Sequence, residues 1–535
     1  MLSTFNSETK VWSGLQQPPI YNPKASFGQV LFTVLRRNPE KVIQIDGDTG
    51  RTMTCKETLL RAIRAVQNLM SQGYKKGDVV AMACANSENI APMFVALVTI
   101  GMPLNALAPN YCLDDMAHML GITQPSLVFC DVDNYETVKK AVNLSVHQKP
   151  EIFVFESNSV DMKNADDFFK ETGKENTFFP PYLGDSRALV GVILCSSGTT
   201  GLAKGVTISH AHLIAAYGNG ISLGSFELIF NFSPIQWATG LYFLLQSLVN
   251  GDTRLITRKS FSEEVFYDLL EKYPIQFLLT PPSYANLILR HSRAKTADWS
   301  NIAVWGFGGS IIPEKLRNEI DRLLPNRRTC TGLGNSEIGG ITTDLFRRKP
   351  NSAGQLLPNV SAKIIDDDGN VLSNGQQGEL LLKFCERCLG YYNNPEATSA
   401  AIDAQGWLST GDIGYFDEEG CLFLTDRKKD MFKCMSIHIF PADLEAVVHR
   451  IDGVEQVCVV GLPDAAGTSE LPAAVIVKAK DSTLTEEDIL KTVNDQVVDY
   501  KKLRGGVFFL PQLPVSITGK VLRKKVKEIV LSMIN

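Results

Sequence analysis

The segment 194–206, with sequence LCSSGTTGLAKGV, holds the residues whose types and spacing are best suited to chemistry. An apolar run ends at Cys195 and passes into serine, threonine and glycine, so backbone N–H groups and hydroxyls can wrap closely around an anion. Lys204 follows and adds a positive charge. We interpret this segment as a grip for a polyphosphate. The alternative is an ordinary turn, since small polar residues are common in turns.

Two familiar nucleotide-binding patterns are missing from the sequence. No Gly-Lys-Ser or Gly-Lys-Thr ends the segment, so it is not a Walker loop, and the chain contains no GxGxxG dinucleotide fingerprint. The sequence therefore gives no support to a kinase, a GTPase or a dinucleotide-dependent oxidoreductase.

Composition restricts the class of protein. The 535 residues are 44% hydrophobic and 21% charged, which is typical of globular chains and corresponds to roughly three or four domain-sized units. A net charge of −5 offers no positive field for nucleic acid. The eleven cysteines are scattered, which indicates reduced thiols, and the close pair Cys385 and Cys388 lacks the further ligands that a zinc site needs.

The elements that must position these residues follow from the apolar pattern. From about residue 79, short apolar runs alternate with amphipathic stretches, which predicts an α/β architecture with largely parallel, buried sheets. After about residue 350, turn clusters at 366–370 and 417–420 separate β-rich runs and predict an antiparallel β subdomain. The charged segment 426–430 reads as a linker to a small α+β unit, or alternatively as a solvated hairpin end.

One uncharged stretch, 89–113, is long enough to suggest a membrane span. Prolines and glycine interrupt it, so we predict a buried helix from Pro92 to Ile100 that ends at Gly101. The first residues show no secretory or mitochondrial pattern, and the last three do not read Ser-Lys-Leu. We therefore expect a cytoplasmic location by default and no transmembrane segment.

The loop SSGTTGLAKG (196–205) resembles the signature S-S/T-G-T-T-G-x-x-K-G of the adenylate-forming superfamily of acyl-CoA synthetases, acyl-adenylating domains and firefly luciferases. Further motifs stand in the family's order and span nearly the whole chain: Gly308-Gly309-Ser310, GLGNSE (332–337), STGD (409–412), DRKK (426–429) and PVSITGK (514–520). The segments YYNNPEAT (391–398) and KKLRGGV (501–507) are most similar to the luciferase-like and coumarate-ligase-like branch.

This resemblance implies a large N-terminal body, 1–426, made of several packed subdomains, and a small mobile α+β lid, 427–535. It implies an ATP-dependent acid–CoA ligase that forms an acyl-AMP from a fatty or aromatic carboxylic acid and then an acyl-CoA thioester. The implied cofactors are ATP, Mg²⁺ and coenzyme A. The implied partners are small molecules, with no nucleic acid and no inferable protein partner. Family members also occur in peroxisomes, although this chain lacks the Ser-Lys-Leu signal.

The resemblance also assigns roles to individual residues. The expected phosphate-binding residues are Ser196, Ser197, Gly198, Thr199, Thr200, Gly201 and Lys204. Gly309 and Ser310 are expected on the adenine side, Gly309 also beside the acyl substrate, and Gly334, Asn335 and Ser336 are expected in the nucleotide site.

Four charged residues carry the remaining expectations. Glu337 would help to position magnesium; the alternative is an ordinary glutamate at the N-terminus of a surface helix. Asp412 would accept hydrogen bonds from the ribose hydroxyls, or else would cap a turn after Gly411, and Arg427 would support the ribose or phosphate. Lys520 would stabilise charge at the α-phosphate during adenylation.

For the second half-reaction, the lid is expected to rotate about the hinge at 426–429 and to exchange Lys520 for a face around Lys433 to Ile439. This face departs from the family pattern, because Lys433 is retained but Cys434, Met435 and Ser436 are unusual there. The basic residues after Lys520, namely Arg523, Lys524, Lys525 and Lys527, are expected to form a solvated helix face.

Two other departures concern ligands. Leu333 replaces a tyrosine that would stack on adenine, which predicts weaker nucleotide binding. Trp237 stands in the acyl-pocket segment and would either line the acyl tunnel or belong to the core, and the arginine of the luciferin pocket, expected near Ile221, is missing. Two alternative functions stay open: an adenylating enzyme with a non-CoA acceptor, and a homologue that binds nucleotide or lipid with reduced catalysis.

Overall fold

A computed structural model describes residues 3–18, 21–22, 24–157, 159–196, 203–217, 226–309, 312–324, 328–428, 430–434, 437–464, 470–497, 499–515 and 521–534. The strands are β1 (Ser3–Asn6), β2 (Val11–Gly14), β3 (Val42–Asp46), β4 (Thr52–Thr54), β5 (Val80–Ala83), β6 (Leu104–Ala106), β7 (Leu127–Cys130), β8 (Glu151–Val154), β9 (Lys163–Asn164), β10 (Val190–Ser196), β11 (Lys204–Ser209), β12 (Leu228–Phe230), β13 (Thr253–Ile256), β14 (Phe277–Thr280), β15 (Val304–Phe307), β16 (Thr329–Thr331), β17 (Gly334–Asn335), β18 (Gly339–Gly340), β19 (Thr342–Thr343), β20 (Gly354–Leu356), β21 (Val360–Ile365), β22 (Gly378–Phe384), β23 (Leu408–Phe416), β24 (Cys421–Arg427), β25 (Phe432–Cys434), β26 (Ile437–Ile439), β27 (Val454–Pro463), β28 (Glu470–Lys478) and β29 (Gly506–Phe509).

The α-helices are α1 (Phe27–Arg37), α2 (Cys55–Ser71), α3 (Ile90–Ile100), α4 (Leu113–Thr123), α5 (Tyr135–Ser145), α6 (His210–Tyr217), α7 (Ala238–Leu245), α8 (Glu263–Lys272), α9 (Pro282–Arg290), α10 (Glu314–Leu323), α11 (Pro395–Ala401), α12 (Pro441–Val448), α13 (Glu486–Asn494) and α14 (Arg523–Ile534).

Two seven-stranded sheets confirm the predicted α/β architecture. The first has the order β11-β10-β6-β5-β7-β8-β9, and its strands from β10 onward run parallel. The second has the order β16-β15-β14-β12-β13-β3-β4 and is parallel except for the edge pair β3 and β4. Helices cover both faces of the first sheet, with α1, α2 and α3 on one side and α4 and α5 on the other. Burial on both faces explains the continuous apolar strands in the sequence.

The predicted antiparallel region is an eight-stranded sheet with the order β1-β2-β21-β22-β23-β24-β20-β19. Its first two strands come from the start of the chain, since Trp12 pairs with Ala362. A three-stranded sheet, β27-β28-β29, is covered by α12 and α13 on one face and by α14 on the other. This sheet and its helices form the small α+β unit that the sequence predicted.

The uncharged stretch is a buried helix, as predicted, although it begins at Ile90 rather than at Pro92. Every residue of α3 is buried, and Gly101 ends the helix with a φ of 73° in the left-handed region, where glycine is favoured. Across the described part of the chain, no helix combines the length and the apolar character that crossing a membrane requires.

Candidate active site

The carboxyl edge of the second sheet gathers three of the predicted segments. β12, β14, β15 and β16 run parallel, so the chain leaves each of them at the same edge, where ligands bind in open α/β sheets. The segment with Trp237 follows β12, Gly309 follows β15, and the segment 332–337 follows β16. Gly309 is exposed and has a φ of 89°. Ser310 lies outside the described residues.

Glu337 lies at the turn of a short hairpin, and not at the start of a helix. Gly334 and Asn335 pair with Gly340 and Gly339, and Asn335 Oδ1 accepts a hydrogen bond from Ile338 N at 2.8 Å. Gly332 must be glycine, because a Cβ atom there would lie 2.3 Å from a backbone oxygen. The hairpin thus brings four predicted residues, Gly334 to Glu337, into one turn.

A second hairpin, β10 and β11, carries the predicted phosphate loop. Ser196 and Lys204 face each other at its end, while Ser197, Gly198, Thr199, Thr200 and Gly201 lie outside the described residues. The Nζ atom of Lys204 lies 4.8 Å from the centre of the Tyr391 ring. The Tyr391 hydroxyl donates a hydrogen bond to Glu337 Oε1 at 3.0 Å. Tyr391 therefore joins the loop lysine to the carboxylate predicted for magnesium.

Asp412 and Arg427 are direct neighbours on β23 and β24. Arg427 Nε lies 2.9 Å from Asp412 Oδ1, and the aspartate side chain is only 11% exposed whereas the arginine side chain is 41% exposed. Asp412 N donates to Thr410 Oγ1 at 3.0 Å. The aspartate thus lies in a strand, which differs from the alternative of a turn cap.

An apolar cavity lies between the two hairpins and the helices α6 and α7. Its walls are formed by Leu194, Ile208, His212, Leu213, Tyr217, Ala238, Leu241, Ser336 and Gly339. His212 Nε2 donates to Ile338 O at 3.0 Å, and burial lowers the pKa of His212 to about 4, so its ring is neutral at neutral pH.

Trp237 is half-buried and immediately precedes α7, next to the cavity residue Ala238. It is not one of the buried core residues, so the core alternative is not supported for this side chain. Gly240 packs so closely on residue 234 that a Cβ atom would lie 2.1 Å from Pro234 O. This close contact fixes the path of the segment that carries Trp237.

The predicted lid residues are only partly described. Lys433 lies in β25, where its backbone pairs with that of His438, while Met435, Ser436 and Lys520 lie outside the described residues. The loop with Lys520 is joined at its base, because Val515 pairs with Val521 and Leu522 N donates to Pro514 O at 2.8 Å.

Sequence reasoning missed two residues. Arg523 was expected on a solvated helix face, but its guanidinium is largely buried and forms an ion pair with Glu445 and a hydrogen bond to Val459 O at 2.5 Å. In the sequence, Tyr391 indicates only the similarity to the luciferase-like and coumarate-ligase-like branch. No local pattern identifies either contact, because Glu445 and Glu337 are 78 and 54 residues away along the chain.

This chain is similar to known proteins over most of its length. A family model of AMP-binding enzymes matches residues 31–392, and a model of the AMP-binding enzyme C-terminal domain matches residues 443–520. The chain is 28% identical over 551 residues to "probable 4-coumarate–CoA ligase 3" of Dictyostelium discoideum, with 99% of each chain covered. It is 31% identical over 498 residues to luciferin 4-monooxygenase of Luciola mingrelica, with 90% of each covered.

A solved structure shows the same fold. ATP-bound MatB from Rhodopseudomonas palustris matches with a TM-score of 0.83 and 22% identity, covering 96% of this chain and all (100%) of that one. The family models, the relatives and the fold agree over nearly the full length. The chain therefore belongs to the AMP-binding enzyme family, the adenylate-forming ligases.

Proposed function

We propose that this protein is an ATP-dependent acid–CoA ligase. It joins a carboxylic acid to the α-phosphate of ATP and releases pyrophosphate. The thiol of coenzyme A then takes the acyl group from the acyl adenylate, and AMP leaves. A carboxylate is a poor electrophile, and adenylation converts one of its oxygens into part of a leaving group. The observation that supports the proposal is the convergence of Lys204 and Glu337 on Tyr391, the lysine proposed for phosphate and the carboxylate proposed for magnesium.

The nucleotide would lie across this convergence. Ser196 to Gly201 and Lys204 would hold the β- and γ-phosphates, and the segments 308–310 and 334–336 would contact the base. Asp412, aligned by Arg427, would accept hydrogen bonds from the ribose hydroxyls. Lys520 would stabilise the charge that develops at the α-phosphate.

Glu337 fits a magnesium site in which the substrate would supply the remaining ligands. Mg²⁺ is commonly held by one or two carboxylates together with phosphate oxygens, and it offsets their charge. Among the described residues no group of three or more His, Cys, Asp or Glu side chains that could hold a metal ion occurs. Glu337 would hold the ion together with phosphate oxygens of ATP. Glu337 is partly exposed, and its described hydrogen bond, from Tyr391, involves Oε1.

We further propose that 1–426 and 427–535 act as two domains and that the smaller one rotates about 426–429 between the two half-reactions. Adenylation would use Lys520, and thioester formation would use the face around Lys433. The end of β24 and the turn after it connect the eight-stranded sheet to the α+β unit. This connection is consistent with a domain boundary at 426–427.

The apolar cavity favours an acid with an apolar body, either aliphatic or aromatic. The described residues of its lining carry no ionised side chain, since burial lowers the pKa of His212 to about 4. Trp237 borders this region and would limit the length or width of the acyl group.

The test follows pyrophosphate release and loss of free CoA thiol in parallel, with ATP, magnesium and a panel of fatty and aromatic acids. We expect both signals with the same acids, and a loss of pyrophosphate release of about 10²-fold or more in Lys520→Ala. Lys524→Ala is the matched control, because Lys524 is exposed on α14. Pyrophosphate release without thiol loss would mean that the acyl acceptor is not CoA. The altered segment 434–436 would explain such a result. No release with any acid would contradict the adenylation reaction.

A further inference from the structure

The ring of Tyr391 lies between two opposite charges of the candidate site. Lys204 Nζ lies 4.8 Å from the ring centre, and Glu337 Oε1 accepts from the hydroxyl at 3.0 Å. Ion pairs occur in many places on the described part of the chain, but none of those identified there joins Lys204 to Glu337. Both charges thus contact the same aromatic side chain without contacting each other.

The backbone fixes this ring relative to Lys204. Tyr391 pairs with Val206 of β11, and Tyr392 N donates to Gly205 O at 2.7 Å. On the other side, Tyr391 N donates to Thr398 Oγ1 at 2.9 Å. Gly390 permits this close approach, because its φ is 86° and a Cβ atom there would lie 2.2 Å from Thr398. The strand that carries the lysine therefore also holds the backbone of Tyr391 in place, through the bridge from Val206.

The Tyr391 hydroxyl is a permanent donor at neutral pH. A tyrosine phenol has an ordinary pKa of about 10 and is protonated at neutral pH. The phenol therefore stays protonated and presents its hydrogen to the carboxylate, while the face of the ring attracts the ammonium group.

We propose that Tyr391 is a positioning residue that separates Lys204 from Glu337, so that the lysine stays available for phosphate oxygens and the glutamate for the metal. This proposal rests on the nucleotide site described under the proposed function. Opposite charges at contact distance attract each other strongly where water is partly excluded. Without the ring, Lys204 and Glu337 would form an ion pair that ATP and magnesium would have to break.

The first experiment needs no nucleotide. The acylation rate of Lys204 by acetic anhydride is measured by mass spectrometry against exposed Lys480 in the wild type, Tyr391→Leu, Tyr391→Leu/Glu337→Gln and Tyr392→Phe. An ion pair holds a lysine in its unreactive, charged form. We expect Tyr391→Leu to slow acylation about fivefold or more, the double variant to regain the wild-type rate, and Tyr392→Phe to match the wild type. A double variant that stays slow would overturn the proposal, as would an unchanged rate in Tyr391→Leu.

The second experiment measures ATP binding by calorimetry without magnesium in the same four proteins. We expect about tenfold weaker binding in Tyr391→Leu and recovery in the double variant, since Lys204 is released when Glu337 is neutral. A general structural defect would weaken both variants alike and would contradict the separation of charges. If the wild type itself binds no ATP, the proposed function fails, and the acylation rates still decide the role of Tyr391.

Tyr391→Phe separates the two contacts of this residue. It keeps the ring next to Lys204 but removes the donor to Glu337. We expect ATP binding without magnesium to stay within about twofold of the wild type, while the magnesium concentration for half-saturation rises about fivefold. A change in ATP binding equal to that of Tyr391→Leu would mean that the ring does not separate the charges.

Discussion

Arg427 on β24 lies directly across from Asp412 on β23, with its Nε atom 2.9 Å from Asp412 Oδ1. The register of two neighbouring antiparallel strands makes this pair, although the two residues are fifteen positions apart in the sequence. The aspartate is buried and the arginine is half-exposed, and the ion pair orients the carboxylate. A hydrogen-bond acceptor held in this way is suited to a pair of ribose hydroxyls.

We expect Asp412→Ala to weaken ATP binding about 100-fold and Arg427→Ala about tenfold. The first change removes the acceptor, and the second only releases it from its orientation. Calorimetric titration with ATP measures both. Lys428→Ala is the matched control, because Lys428 lies next to Arg427 and pairs with Glu379 at 2.7 Å, away from Asp412. An Arg427→Ala variant with wild-type affinity would show that the pair is structural.

Arg523 provides a prediction about stability. Its guanidinium pairs with Glu445 of α12 and donates to Val459 O, so it joins α14 to α12 and β27. We expect Arg523→Ala to destabilise this α+β unit by about 2 kcal/mol, because a partly buried carboxylate loses its charged donor.

The control for Arg523 lies on the same helix. Lys527 pairs with Glu470 at 2.5 Å, and about a third of each side chain (34%) is exposed. Since exposed ion pairs contribute little, Lys527→Ala should cost less than about 1 kcal/mol. Both losses in stability are measured by heating the full chain and monitoring unfolding of the α+β unit through its susceptibility to proteolysis. Equal losses in the two variants would contradict the buried role of Arg523.

The sheets were predictable from the sequence because each strand can be recognised from its own local pattern of apolar residues. Val80–Ala83 and Leu127–Cys130 are uninterrupted apolar runs that pack helices on both faces, and each is followed by an amphipathic or apolar helix. The pairing of Trp12 with Ala362 was not predictable in this way. Strand partners across some 350 residues are chosen by tertiary packing, which leaves no local pattern.

The candidate site was predictable only through motif order. Lys204 and Glu337 were singled out by the resemblance, yet their shared contact with Tyr391 depends on a bridge between Val206 and Tyr391 that no spacing reveals. Arg523 was misassigned for the opposite reason. Arg523 lies in a run of basic residues, a pattern that predicts a solvated helix face. Lys524 and Lys525 are indeed exposed, but Arg523 lies on the side of the helix that contacts Glu445.

Leu333 yields a prediction about nucleotide affinity. Its side chain is partly buried against the core of the eight-stranded sheet, and its N–H donates to Thr342 Oγ1 at 3.0 Å, next to the hairpin of Glu337. We expect Leu333→Tyr to strengthen ATP binding about fivefold, since an aromatic contact with adenine adds about 1 kcal/mol. Binding of ATP and of inorganic triphosphate should be compared. A gain with both ligands would contradict stacking on the base.

Asp252 leads to a prediction about pH. This aspartate is 7% exposed, and burial raises its pKa to about 6. An unfolded aspartate titrates near pH 4, so between about pH 4 and 6 the folded state binds more protons than the unfolded state. The free energy of unfolding therefore falls as the pH rises through this range, and the full cost is present above about pH 6.

We expect Asp252→Asn to remove this cost. The free energy of unfolding of the variant should equal that of the wild type at pH 4 and exceed it by about 1 to 3 kcal/mol at pH 7. This difference amounts to a few degrees in melting temperature. Melting curves at intervals of one pH unit measure the difference. Asp298→Asn is the control with the opposite sign. Hydrogen bonds from Ser300 lower the pKa of this exposed aspartate, so its loss should destabilise the protein only above about pH 4. A difference between Asp252→Asn and the wild type that does not change from pH 4 to pH 7 would show that Asp252 is not held with a raised pKa.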